Sequence, residues 1–296
     1  MFGVDYAFFP HPKITDLEAH GVKFAGRYVS PSAASDASGK NLLAGEKHDL
    51  LAAGIDIILY GESTAGRMKD GHAAGVSDAK HAAAVIPALG LDGIVVYWAA
   101  DWDVSAAEQA AVHAFLDGAG SVLGPDQTGL YGGFWTVHRA LNAGKVKMAV
   151  QTRAWSTFTS SIPMPDHAVK WEVGGHTYFA DSRAVVRQGL ISTIGAASCD
   201  LLRSQAADFG QYPRPVPPPV GPFRHVVPAG NLDSMAKMAA ARGTTVDHLA
   251  ELAVANLNAV NLAVFQSYVV LAEAMAAAGM PAPAMPAGLV YFTTHQ

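Results

Sequence analysis

Eight short β-rich runs, most of them followed by stretches of helical period, constrain the fold more than any other feature of this sequence. The runs are residues 2–6, 23–29, 55–60, 93–98, 128–132, 146–151, 168–173 and 195–200. Strands that alternate with helices predict an α/β fold with a parallel sheet, and eight repeats favour a (β/α)8 TIM-like barrel. A doubly wound nucleotide-binding sheet is disfavoured because no glycine-rich phosphate-binding motif follows a strand.

A proline-rich segment divides the chain into two predicted domains. Six prolines lie between Pro213 and Pro222, and proline lacks the backbone donor that helices and sheets use. We therefore predict a barrel over residues 1–211, an extended linker over 212–222 and a small α+β domain over 223–296. In that last domain we expect the closing segment 286–292 to form a strand that pairs with residues 225–227.

Composition and charge exclude several functional classes. With 20 Lys and Arg against 25 Asp and Glu, the net charge is −5, so no basic surplus supports nucleic-acid binding. The single cysteine, Cys199, cannot form an internal disulfide or a paired redox site. No apolar run is long enough to span a membrane, and residues 1–10 lack the features of a signal peptide. We expect the protein in a host cytoplasm before lysis or on a virion.

Acidic residues follow the carboxyl ends of several predicted strands, where barrel enzymes carry their catalytic groups. Asp5 ends the first strand, Glu62 follows the third and Asp200 ends the eighth. Asp101 and Asp103 follow the fourth, and in an extended segment both carboxylates point to one side, which raises at least one pKa. Such carboxylates serve glycoside hydrolysis, so Asp101, Asp103, Asp5 and Glu62 are candidate catalytic residues. Helix caps or solvated loop positions are the alternative interpretation of each.

Aromatic and polar residues near the strand ends are candidates for substrate binding, because the apolar face of a sugar packs on aromatic rings. A role in the core is the alternative interpretation of each. Metal-ligand spacings and the serine-hydrolase motif are absent from the sequence, and we expect no metal or cofactor. The candidates are Arg27, Tyr28, Trp98, Trp102, Tyr131, Gln151, Trp155, Trp171 and Asp200.

Several short motifs in residues 1–211 carry a resemblance to a known family. They are Phe2-Gly-Val-Asp-Tyr6, Gly26-Arg-Tyr28, Val96-Tyr-Trp-Ala-Ala-Asp-Trp-Asp103, Leu130-Tyr-Gly-Gly133, Cys199-Asp200 and Asp208-Phe-Gly-Gln211. Together they resemble a glycoside-hydrolase-like TIM-barrel family, long described as a domain of unknown function in high-GC bacteria and their phages. That family is similar to family-25 lysozymes, the muramidases that cleave peptidoglycan between N-acetylmuramic acid and N-acetylglucosamine.

This resemblance implies roles for individual residues. Asp5 matches the first-strand aspartate, and Asp101 with Asp103 matches an Asp-x-Glu pair on strand four whose Glu is the general acid. Here the second member is Asp, one methylene shorter than Glu. Glu62 is the alternative acid under this resemblance, and Asp200 positions the substrate.

The C-terminal segment resembles a divergent LysM module, a unit that binds peptidoglycan. The matching segments are His225-Val-Val-Pro-Ala-Gly230, residues 232–236 and Gly243-Thr-Thr-Val-Asp-His-Leu249. One residue is missing after Gly230, and residues 258–280 form a long helical insertion. An assembly or docking role is the alternative.

Three functions follow as hypotheses. The first is a peptidoglycan-directed glycosidase of the phage endolysin type, with a cell-wall-binding module. The second keeps the barrel without the chemistry, as a glycan-binding or phage tail protein. The third is a structural protein that forms virion or homo-oligomer contacts through residues 223–296.

Overall fold

Eight strands close into a barrel in the computed structural model, which describes residues 1–214, 225–226 and 290–291. The chain divides into two compact units, Met1–Pro215 and Val216–Gln296. The strands are β1 Phe2–Asp5, β2 Phe24–Val29, β3 Asp56–Gly61, β4 Val96–Ala99, β5 Thr128–Gly132, β6 Ala149–Thr152, β7 Ala168–Val173, β8 His176–Asp181, β9 Val186–Ile194, β10 Ala197–Ser204, β11 His225–Val226 and β12 Val290–Tyr291. The helices are α1 Ile14–Ala19, α2 Ala33–Ala37, α3 Ala44–Ala52, α4 Gly71–Ala88, α5 Gln109–Leu123 and α6 Phe134–Asn142.

The barrel order is β1-β10-β9-β6-β5-β4-β3-β2, which confirms the predicted α/β fold with an eight-stranded closed barrel. Strands β1 to β6 are parallel, and β9 continues that direction beside β6. By contrast, β10 is antiparallel to both of its neighbours, β9 and β1. The barrel therefore closes with a hairpin instead of a final helix-connected strand.

The prediction that residues 168–173 form the seventh barrel strand is wrong. That segment is β7, which pairs with β8 in a separate two-stranded sheet. Its side chains are all exposed or half-buried, whereas the parallel barrel strands that helices cover, such as β2 and β4, are almost entirely buried. The seventh position belongs to β9, which the sequence patterns did not predict.

Alternating side chains build two apolar layers, because successive strand residues point to opposite faces. Ile58 and Tyr60 of β3 point into the barrel, where they meet Val150 and Leu202. Leu59 points outward to the layer that the helices cover. Burial of both faces explains why these strands are continuous apolar runs.

Helices α4 and α5 pack closely on the outer wall because two glycines lie where they cross. A Cβ at Gly75 would collide with the carbonyl oxygen of Phe115, and one at Gly118 with that of His72. Larger side chains at either position would force the helices apart. The two helices bury Phe115, which packs edge-on against Trp98 of β4 at 5.5 Å between ring centroids.

The hairpin of β9 and β10 has a β-bulge. Asp200 pairs with Ile191 and Leu202 with Gln188, so Gly189 and Leu190 oppose the single residue Leu201. The bulge keeps both Gln188 and Asp200 on the inner side of the barrel. Both therefore belong to the face that the parallel strands line.

Strands β11 and β12 pair antiparallel, with His225 opposite Tyr291 and Val226 opposite Val290. This confirms the predicted pairing of the closing segment with residues 225–227. The rest of the predicted linker and LysM-like module lies outside the described residues. Within the part of the chain that the structure describes, no helix has the length and apolar character to cross a bilayer.

Candidate active site at the barrel mouth

A polar cavity of about 110 Å³ lies at the carboxyl ends of the parallel strands. Strands β1 to β5 supply most of its lining, and the closing hairpin supplies two residues. Four carboxyl groups and three tyrosines meet there. The lining residues are Asp5, Tyr28, Tyr60, Glu62, Ala99, Asp101, Tyr131, Gln188 and Asp200.

Asp5 and Asp200 form a carboxylate pair across β1 and β10. They are directly opposite in the strand register, and Asp5 is only 3% exposed. Burial, followed by the charge of Asp200, raises the pKa of Asp5 well above its usual range. Burial also raises the pKa of Asp200, with Asp101 adding to the rise and Arg153 opposing it. Two such groups hold a proton between them more readily than isolated aspartates do.

A hydrogen-bond chain orients Asp5. The Tyr131 hydroxyl donates to Gln188 Oε1 at 2.6 Å, and Gln188 Nε2 donates to Asp5 Oδ2 at 3.1 Å. The Tyr28 hydroxyl donates to the other oxygen, Asp5 Oδ1, at 3.4 Å. Donation to the ionised carboxylate opposes the effect of burial on the Asp5 pKa. Asp5 is thus held by three strands in one orientation.

Glu62 and Asp101 are the other two carboxyl groups of the cavity, and a lysine accompanies them. Lys40 Nζ is 2.8 Å from Glu62 Oε2 and also lies over the Tyr28 ring, 4.9 Å from its centroid. Burial and the charge of Glu62 raise the pKa of Asp101, while Lys40 opposes the rise. The lysine forms an ion pair with Glu62, whereas Asp101 forms none with the described residues.

This arrangement provides two kinds of carboxyl group in one cavity. A carboxyl with a raised pKa is a proton donor near neutral pH, and an ion-paired or hydrogen-bonded carboxylate stabilises positive charge. Both kinds are needed to protonate a leaving oxygen and to stabilise the cation that results. Among the residues with described positions, no group of three or more ligands is arranged to hold a metal ion.

Three predicted binding residues lie away from the cavity, because successive residues of a strand point alternately into and out of the barrel. Tyr28 and Tyr131 point inward and line it, but Arg27, Trp98 and Gln151 occupy outward-facing positions. Arg27 binds Glu46 at 2.8 Å and the Gly39 carbonyl at 2.8 Å.

The other two outward residues serve the packing of the barrel wall. Trp98 packs under α5. Gln151 donates to the Phe179 carbonyl and accepts from the Asp181 amide, both at 2.8 Å. Predicted roles of Arg27, Trp98 and Gln151 at the mouth are therefore corrected to structural ones.

The expected pairing of Asp103 with Asp101 is wrong. Strand β4 ends at Ala99 and the chain bends at Trp102, and of the two carboxylates only that of Asp101 lines the cavity. Asp103 is exposed and outside the cavity, and its charge acts on Arg139 instead. Glu62, from the neighbouring strand, takes the place next to Asp101.

The predicted tryptophan platform does not form at the cavity. Trp102 is half-buried with the Lys69 ammonium 5.0 Å from its ring centroid. Trp155 has a left-handed backbone, with φ of 55°, and packs against Gly133 at the start of α6. Trp171 lies on β7, outside the barrel. The tryptophan spacing gave no information on which face each ring occupies.

Four residues of the site or its surroundings were missed. Tyr60 ends the third predicted strand, so the reasoning that found Tyr28 and Tyr131 applies to it equally. Gln188 lies on the unpredicted strand β9. Lys40 and Arg153 are in loops, and no local pattern marks a loop cation that reaches a carboxylate.

Comparison with known proteins agrees with this geometry. The sequence matches the family described as Rv2525c-like, glycoside hydrolase-like domain over residues 15–214, more than half of the chain. The chain belongs to this Rv2525c-like family. The predicted resemblance to a glycoside-hydrolase-like barrel family is thereby confirmed. No curated protein matches the chain.

The chain is similar to several solved structures, two of which are of the protein Rv2525c. The Tat-secreted protein Rv2525c of Mycobacterium tuberculosis, in complex with L-tartrate, is 24% identical with a TM-score of 0.59, over 71% of this chain and 98% of that one. In complex with HEPES it is 23% identical with a TM-score of 0.57, over the same shares. The spore cortex lytic enzyme SleM of Clostridium perfringens is 15% identical, with a TM-score of 0.43, over 69% and 66%.

Proposed function

We propose that this protein is a glycosidase that hydrolyses the glycan strands of peptidoglycan. The observation that carries the proposal is the meeting of Asp5, Glu62, Asp101 and Asp200 in one cavity at the barrel mouth. Membership of a glycoside hydrolase-like family supports the reaction class. Peptidoglycan is the proposed substrate because the barrel resembles lysozymes.

Asp101 is the proposed general acid. It is half-buried, so its proton is accessible from the mouth, and its raised pKa keeps the carboxyl protonated at higher pH than an exposed aspartate. Protonation of the glycosidic oxygen breaks the bond to the leaving sugar and generates an oxocarbenium-like centre. The hydroxyl oxygen of the leaving sugar keeps the proton.

The Asp5 and Asp200 pair is the proposed stabiliser of that positive centre. Its ionised member faces the same cavity as Asp101, and Gln188 and Tyr28 hold Asp5 in position. Water completes the reaction by adding hydroxide to the anomeric carbon, with its second proton restoring the acid. The tyrosine hydroxyls in the lining supply hydrogen bonds to sugar hydroxyls.

The test is release of reducing ends from purified peptidoglycan by the full chain. We expect Asp101→Asn to lower the rate by about 10²- to 10⁴-fold, the usual contribution of a positioned acid. Asp103→Asn is the matched control, because the same substitution two residues away lies outside the cavity. Unchanged turnover in Asp101→Asn, or an equal loss in Asp103→Asn, contradicts the assignment.

A second function, glycan binding without hydrolysis, is favoured by the position of Asp103. The Asp-x-Glu pair of lysozymes has no equivalent carboxylate pair here, and the cavity is only about 110 Å³. Sedimentation of the wild-type protein with cell walls, without release of reducing ends, would support this alternative. The same assay therefore decides between the two.

We also propose that residues 223–296 bind cell-wall glycan and keep the barrel at its substrate. This follows from the LysM-like motifs, and it places the protein at the cell wall, as expected for a phage endolysin or a virion component. Competition of wall sedimentation by a soluble N-acetylglucosamine oligomer tests it. Assembly of a stable oligomer without wall binding would favour the structural alternative.

A further inference from the structure

A second cavity, of about 310 Å³, lies outside the barrel. It is a groove between β7 and the outer face of the β9–β10 hairpin, and it is almost three times larger than the cavity at the mouth. Its lining includes Phe2, Trp171, Arg187, Leu201 and Arg203. Nothing in the proposed reaction at the mouth uses these residues.

Two arginines stand side by side in this groove. Arg203 of β10 is directly opposite Arg187 of β9, and Phe2 of β1 is directly opposite Arg203 on the other side. Like charges in directly opposed positions of a sheet are destabilising. Neither guanidinium forms an ion pair within residues 1–214, and Arg187 Nε is buried without a hydrogen-bond partner there. With two arginines and one carboxylate, that of Glu172, the lining of the groove carries a net positive charge.

Aromatic rings hold the two guanidinium groups in place. Arg187 lies over the Trp171 ring, 5.8 Å from its centroid, and Arg203 lies over the Phe2 ring at 5.7 Å. Glu172, the acidic residue of the lining, accepts a hydrogen bond from the Thr177 hydroxyl at 2.7 Å instead. Burial lowers the pKa of Arg187, and the charge of Asp181, which is ion-paired with Arg183, opposes this effect.

We propose that this groove binds a saccharide that carries a carboxylate. The carboxylate would lie between the guanidinium groups of Arg187 and Arg203, which donate several hydrogen bonds in a planar geometry suited to it. The apolar face of the sugar ring would pack on the exposed part of Trp171. A groove of about 310 Å³ is at the lower end of the size range of ligand sites, which suits one sugar ring.

The barrel wall favours a sugar over a peptide strand. The backbones of β9 and β10 are already paired on both edges, β9 with β6 and β10, and β10 with β9 and β1. An added peptide strand therefore finds no free backbone groups on that wall. Recognition there depends on side chains, and these are rings and guanidinium groups.

The experiment is calorimetric titration of the full chain with matched pairs of sugars. Glucuronic acid is compared with glucose, and N-acetylmuramic acid with N-acetylglucosamine, so that each pair differs in a carboxylate. We expect at least one acid to bind tenfold or more tightly than its neutral partner, and the Arg187→Gln/Arg203→Gln variant to lose that difference. Trp171→Leu should weaken the sugar acid several-fold and leave acetate binding unchanged.

Controls separate this site from the mouth and from general charge effects. Lys23→Gln/Lys80→Gln removes the same charge at exposed positions, and Asp101→Asn alters the mouth. Both should retain the binding, and melting temperatures confirm that every variant is folded. Binding retained in the double arginine variant, or lost in Asp101→Asn, overturns the inference whatever the outcome for hydrolysis.

Three further results also overturn it. One is the absence of binding by either acid at 10 mM, a concentration about tenfold above a millimolar Kd. Another is binding of acetate as tightly as of the sugar acids, because the groove would then recognise the carboxylate and not the sugar ring. The third is binding of N-acetylaspartate methylamide, a surrogate for an acidic peptide, more tightly than either sugar acid.

Discussion

The six parallel strands and the closing hairpin build the same barrel interior but different outer walls. Ile58 of β3 and Leu202 of β10 are both fully buried inside the barrel. On the outside, helices cover Leu59 completely, whereas Leu201 is half-buried and its neighbour Arg203 is exposed. A barrel interior can therefore be completed without flanking helices, and the wall left without them is where the groove with Arg187 and Arg203 forms.

The mouth depends on both regions. Parallel strands supply Glu62 and Asp101, and the hairpin supplies Gln188 and Asp200. Because β10 runs antiparallel to β1, Asp200 comes directly opposite Asp5. The hairpin thus contributes to the chemistry at the mouth as well as to closure.

Truncation of outer-wall leucines is the strongest test of the comparison. We expect Leu59→Ala to lower the free energy of unfolding by ~3 kcal/mol, because a fully buried side chain leaves a cavity under the helices. Leu201→Ala should cost only about 1 kcal/mol, because part of that side chain is already in water. Urea unfolding of both variants measures the difference. Equal losses would mean that the hairpin wall is as well covered as the helical wall.

Removal of the Gln188 side chain tests how the hairpin contributes to the chemistry at the mouth. Gln188 donates to Asp5 and so favours its ionised form; we expect Gln188→Ala to raise the pKa of Asp5 further. The acid limb of the pH–rate profile should move to higher pH, with kcat about tenfold lower. Gln205→Ala, just after β10 and outside the mouth, is the control. An unshifted acid limb would leave Gln188 with only a packing role.

Neutralising Asp200, the carboxylate that the hairpin contributes, should have the smallest effect. Unlike the leucine truncations, it should raise the free energy of unfolding. The folded-state pKa of Asp200 is raised, so its charge destabilises the fold once pH rises above the unfolded value, about 3.9. Asp200→Asn removes that penalty and should raise stability at pH 7 by about 0.5–1 kcal/mol. Below about pH 3.9 both proteins have a neutral side chain there and should melt alike. A variant less stable than wild type at pH 7 would contradict the burial argument.

The sequence was informative where strands are apolar on both faces. Strands β1 to β6 lie at the predicted positions because helices cover one side and the barrel interior the other. Strand β9 escaped prediction because its outer face carries Arg187 and its bulge contains Gly189, which interrupt the apolar pattern. β7 was mistaken for a barrel strand because its valines and tryptophan resemble one.

The site was predictable in so far as strand ends define it. Asp5, Tyr28, Asp101, Tyr131 and Asp200 follow from the rule that functional side chains lie at carboxyl ends of strands. Arg27 and Trp98 are one position away from inward-facing residues. To place them correctly, one must know which residues of each strand face the interior, and the sequence did not establish this. The position of Lys40 beside Glu62 depends on the path of a loop, which the sequence pattern does not predict.

The pairing of β1 with β10 has a consequence for synthesis on the ribosome. Strand β1 can pair with β2 early, but its second partner ends at Ser204, so one edge of β1 stays unpaired while the intervening segments are made. At ~5–20 residues per second that interval is roughly 10–40 s. The edge of β1 during that interval, and the edge of β6 once residue 152 has been made, are open templates for other nascent chains. Emergence of the hairpin removes both edges at once, and barrel closure is thereby the last event of a vectorial folding route.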